Sequence, residues 1–73
     1  MKKFYLLETH ARTPELYRAE EKLRLTGIVC ATGHYREVTP VEAKEHMGHL
    51  ELLRLEAVPE ITTTEEAIAI ATA

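Results

Sequence analysis

The chain has 73 residues, a single cysteine and a net charge of −3, and it contains no Ser, Asn, Gln, Asp or Trp. That length is one domain, and a core below about 70–80 residues supplies only about 3–5 kcal/mol unless a metal, a disulfide or a partner subunit adds to it. One cysteine excludes an internal disulfide and points to a reducing, cytoplasmic setting; the missing Ser, Asp and Asn exclude a Ser-His-Asp triad and an N-glycosylation acceptor.

The first ten residues, MKKFYLLETH, hold four consecutive apolar side chains before Glu8. A secretory signal needs about 7–15 and a membrane span about 20, so neither is expected. Phe4, Tyr5, Leu6 and Leu7 make both faces of segment 2–9 apolar, as in a strand covered on both sides. Segment 13–25 predicts a helix. Thr13 suits the N-cap, Pro14 the first helical position and Glu15 the positive end of the dipole. Leu16, Ala19 and Leu23 recur at helical spacing, Glu20 precedes Arg24 by four residues, and Gly27 follows the end.

Residues 28–38 predict two short strands about a Thr32-Gly33 turn. Thr39 and Glu42 have the spacing of a capping box, which predicts a helix over 40–47 that Gly48 can end. In 49–58, Leu50 and Leu52 alternate and then Leu53 and Leu55 alternate on the other parity. This fits a bulged strand, although the Leu, Glu and Arg content also suits a helix. Pro59 stops either element. Thr62 to Glu66 offers a second capping box before the uncharged end AIAIATA. The expected layout is one domain over 1–60, with 61–73 a helix or strand docking on it or on a partner. The element order β-α-β-β-α-β gives an α+β, ferredoxin-like fold: a four-stranded antiparallel sheet with two helices on one face. That architecture serves enzymes, regulators and binding modules alike, so it selects no function.

Cys30, His34, His46 and His49 form the one set with metal-like spacing, C-x3-H and H-x2-H, and together they would suit zinc. Gly48 interrupts the last pair, and a buried cysteine with solvated imidazoles accounts for the same residues. No cofactor or metal is therefore expected. His10, at the end of the first strand, is the one residue placed to act as a general base in a sheet-end cavity. Lys2 and Lys3 beside Phe4 and Tyr5 combine charge with aromatic surface, but an isoelectric point of about 5.8 argues against nucleic acid.

Charge is divided along the chain. Residues 1–36 carry Lys2, Lys3, Arg12, Arg18, Lys22, Arg24 and Arg36 against four glutamates, a balance of +3; residues 37–73 carry Lys44 and Arg54 against eight, a balance of −6. The expected function is a small non-enzymatic protein-binding module that forms a homodimer. It would regulate or inhibit a larger complex through its acidic half, using Glu42, Glu45, Glu65 and Glu66 with the apolar Ile68 and Ile70. A ferredoxin-like enzyme subunit with a cavity near His10, and a zinc-stapled binding domain, are the alternatives.

Overall fold

The computed structural model describes residues 1–28, 31–47 and 57–73. Strands β1 (Lys2–Thr9), β2 (Glu15–Glu20) and β3 (Gly33–Val38) form an antiparallel sheet in the order β2-β1-β3. A single 3-10 turn spans Leu25–Gly27, and two helices follow, α1 (Pro40–Met47) and α2 (Thr64–Thr72). The molecule is thus of the α+β class. The expected strand at 49–58 lies outside the described residues apart from its last two positions, as do Val29 and Cys30 of the expected hairpin.

The helix expected over 13–25 does not form. Its central part is β2, paired along its length with β1 so that Tyr5 faces Tyr17 and Leu6 faces Leu16. As a helix, Leu16 and Ala19 would share one stripe. As a strand they take opposite faces, and both faces of this sheet are apolar because β1 is apolar on both sides. Helix propensities differ by only tenths of a kcal/mol per residue, so non-local burial outweighs them. The ferredoxin-like order requires a helix at this place, and the order among the described residues is β-β-β-α-α.

The ferredoxin-like expectation put helices over 13–25 and 40–47 on one face; the two helices that form, α1 and α2, cover opposite faces. On one face Tyr5, Leu7, Ala19 and Tyr35 pack with Leu25, Ile61 and the α2 residues Ala67 and Ala71. On the other, Leu6 and Val38 pack with Ala43 of α1, flanked by Phe4 and Leu16. Burying Tyr5, Leu6 and Leu7 together, at 2%, 7% and 1% exposed, requires cover on both sides.

Both capping boxes are present. Thr39 Oγ1 accepts from the Glu42 amide at 3.1 Å, and the Glu42 carboxylate accepts from the Thr39 amide at 3.4 Å. At α2, Thr63 Oγ1 accepts from the Glu66 amide, while Glu66 Oε1 reaches back to the Thr62 amide at 3.0 Å, one residue beyond the usual partner. The other end of α2 is held by the first half of the chain. Arg12 Nη2 donates to the Ile70 carbonyl at 2.9 Å, and Thr32 Oγ1 donates to that of Ala71 at 2.8 Å. These donors satisfy carbonyls that a helix end leaves open.

Residues 59–61 lie along the outer edge of β2 as a one-residue parallel bridge at Glu60. The Arg18 amide donates to Pro59 O, the Ile61 amide donates to Arg18 O, and Arg18 Nε donates to Val58 O. The bridge cannot lengthen in either direction. Pro59 has no N–H for the carbonyl of Leu16, and the Glu20 carbonyl takes the Leu23 amide of the turn that follows β2.

Candidate functional site

The two charge halves meet inside one molecule. Lys2 Nζ lies 2.5 Å from Glu60 Oε1, Lys3 Nζ lies 3.5 Å from Glu37, and Arg36 Nη1 lies 3.4 Å from Glu42. Each pair joins a cation of the first half to a carboxylate of the second. The hydrogen bond from Lys2 holds the Glu60 carboxyl below the usual carboxylate range. Among the described residues no ion pair uses Glu45 or Glu65, and both are exposed.

Glu42 and Glu45 sit on α1, whereas Glu65, Glu66 and Ile68 sit on α2. Since these helices belong to opposite faces of the sheet, the acidic residues make two surfaces. Ile68 is 42% exposed. Ile70 is half-buried and packs against the α2-side core.

Among the described residues, clefts open at the ends of the sheet, two of which bear on function. The smaller, of about 230 Å³, is lined by Glu8, Thr9, His10, Gly33 and His34. Here His34 Nε2 lies 3.1 Å from Glu8 Oε1, and the same oxygen accepts from Arg36 Nε at 3.3 Å. A carboxylate beside an imidazole is the geometry of a base and its orienting group, but Arg36 shares the carboxylate and His34 is 65% exposed on its side chain. Gly33 sets the floor. A Cβ there would lie 2.7 Å from Thr9 Cγ2 and 2.9 Å from the Glu8 carbonyl oxygen, so the glycine serves close strand approach rather than the expected turn.

The larger cleft, of about 450 Å³, is lined by Glu20, Lys22, Leu23, Glu60, Ile61 and Thr62. It opens where the bridge to β2 ends. Past Ile61 the chain swings away toward α2 while β2 turns at Glu20, and the two backbones diverge. Ile61, 1% exposed, and the half-buried Leu23 give it an apolar floor. Glu20 and Glu60 stand on the rim, and the bond from the Thr62 amide fixes a third carboxylate, Glu66, beside it. The volume falls in the range of small-ligand and side-chain pockets.

Of the residues with metal-like spacing, Cys30 and His49 lie outside the described residues. His34 pairs with Glu8, and His46 is exposed near the end of α1. Among the described residues no three His, Cys, Asp or Glu side chains converge in a way that could hold a metal ion. Sequence reasoning passed over the larger cleft because its walls come from residues 20–23 and 60–62, about forty positions apart, and no local pattern marks their meeting. It had placed Leu23 on a helical stripe.

Tyr17 lies under the same face as α2. Burial, then a 2.7 Å hydrogen bond from its hydroxyl to Glu15, push its pKa up to about 12. Its ring meets that of Tyr35 edge-on, with centroids 6.5 Å apart.

No family model, curated protein or solved structure matches the chain. Among the described residues no helix is long and apolar enough to cross a membrane.

Proposed function

We propose that the chain is a small protein-binding module that pairs with its own copy and regulates or blocks a larger protein complex in the cytoplasm. The observation that supports this reading is the larger cleft: an apolar floor of Leu23 and Ile61 under a charged rim of Glu20, Lys22 and Glu60. An apolar floor under a charged rim suits recognition of an amphipathic side chain. Glu65 and Glu66 on α2 extend the acidic surface on the cleft's side of the sheet toward a basic partner, and Glu42 and Glu45 on α1 make a second acidic surface on the other side. Ile68, exposed on α2 while Ile70 turns toward the core, supplies apolar area for a second copy.

Light scattering on a sizing column tests the self-association. Because Lys2, Lys3 and Arg36 already pair within the chain, the dimer should persist from low to high salt, and Ile68→Glu should dissociate it. A monomer at every concentration, with Ile68 unchanged, would remove the homodimer from the reading.

One observation favours a second reading. Glu8 and His34 share a cleft with His10, which suits proton transfer on a small substrate. Any activity found should then fall on His34→Ala and on His10→Ala. Full turnover by both variants would end this alternative.

A further inference from the structure

We infer that the cleft between the end of β2 and residues 60–62 seats a lysine or arginine side chain of a partner protein, with its aliphatic stem on Leu23 and Ile61 and its charged head among Glu20, Glu60 and Glu66. The inference rests on the protein-binding reading and names the chemistry of the partner.

The argument is one of shape and charge. Apolar floor and anionic rim together match a side chain that is apolar along its stem and cationic at its tip. Glu20 is exposed and lies across the strand ladder from Lys2. Lys2 bonds Glu60, and Glu66 accepts the Thr62 amide. Three carboxylates therefore face two ammonium groups, those of Lys2 and Lys22, and one negative charge is left over. The apolar base keeps water off the stem, and the one carboxylate charge left over once Lys2 and Lys22 are matched is available to an incoming cation. A glutamate side chain would meet the same rim with repulsion. The bridge to β2 cannot extend into this space, because the turn at Leu23 has already taken the Glu20 carbonyl. The gap is thus a fixed feature of the fold and not an unfinished strand pairing.

The test is an amide NMR titration of the intact protein with three probes: the capped tripeptide Leu-Lys-Leu, the same peptide with Glu for Lys, and n-butylammonium. Saturable shifts are expected at Glu20, Leu23, Ile61 and Thr62 with the lysine peptide. The glutamate peptide should bind about tenfold more weakly, since each exposed charge pair is worth a small factor. Glu20→Lys, an exposed change, should weaken the lysine peptide about three- to tenfold, and Lys44→Gln, on α1, should leave it unchanged. Butylammonium that binds as well as the peptide would assign the cleft to free alkylamines and overturn the protein partner. Equal binding of the two peptides, or no shift at the four residues, would overturn the site. These results leave the oligomer mass untouched, so a failure here is separable from a failure of self-association.

Discussion

Gly33→Ala probes the closest approach in the sheet. Gly33 opens β3 opposite Thr9, and an added Cβ would stand 2.7 Å from Thr9 Cγ2, 2.9 Å from the Glu8 carbonyl oxygen and 3.3 Å from Thr9 Cβ. The first neighbour is a side-chain methyl, but the second is strand backbone, the carbonyl of Glu8 next to the last pair of the β1–β3 ladder, which cannot move alone. Overpacking of this kind costs about 1–3 kcal/mol. Replacing glycine reduces the entropy of the unfolded chain and returns about 0.4–1 kcal/mol. The net expectation is a loss of about 1–2 kcal/mol, or a fall in Tm of about 5–15 °C for a domain this small. Thr9→Ser separates the two contacts. It deletes Cγ2 yet keeps the hydroxyl that accepts the Arg12 amide at 3.1 Å. In the Thr9→Ser background, Gly33→Ala should therefore cost less, but not nothing, because the carbonyl contact remains. Urea unfolding followed by circular dichroism measures all four proteins of this cycle. A Gly33→Ala protein as stable as the parent, or equal costs in the two backgrounds, would refute the steric argument.

Arg12→Met removes a cationic donor from the carbonyl end of α2 and should cost about 1 kcal/mol; hydrogen exchange should quicken most in the last turn of α2, and uniform exchange across the protein would contradict it. Thr63→Ala deletes the N-cap acceptor used by the Glu66 amide and should cost about 1 kcal/mol in urea unfolding, whereas Thr64→Ala, one position into the helix, should cost clearly less. Tyr17 should titrate near 12 by NMR of its ring carbon. Glu15→Gln should bring it only part of the way back, because burial is the larger cause. Its folded pKa lies above the unfolded value of about 10, so its contribution to stability is complete below pH ~10 and is lost as pH rises toward ~12. A Tyr17→Phe protein should lose less stability over that window, and an equal loss would contradict the linkage.

Local chemistry was legible wherever a few neighbouring residues suffice. The strand at 2–9, apolar on both faces, and the Thr39–Glu42 box that starts α1 follow from side-chain alternation and reach alone. So does the cap at the start of α2, because the Thr63 hydroxyl accepts the amide of Glu66 three positions on and the Glu66 carboxylate returns to the neighbouring Thr62 amide without outside help. Segment 13–25 shows where such reasoning stops. Thr13, Pro14, Glu15 and the Leu16–Ala19–Leu23 spacing satisfy every local rule for a helix, yet β1 presents apolar surface on two sides, and pairing with it buries Ala19 and half-buries Leu16 and Tyr17.

The same limit applies to function. Composition alone removed disulfides, a serine triad and a glycosylation site, and charge counting found two opposed halves. Only the folded chain shows that Lys2, Lys3 and Arg36 neutralise Glu60, Glu37 and Glu42 within the monomer, and that α1 and α2 carry their glutamates on opposite faces. The larger cleft is likewise a tertiary product, made where Glu20 and Ile61 part company. Residues forty positions apart leave no shared period in the sequence, so their meeting is written in the sheet and not in any local pattern.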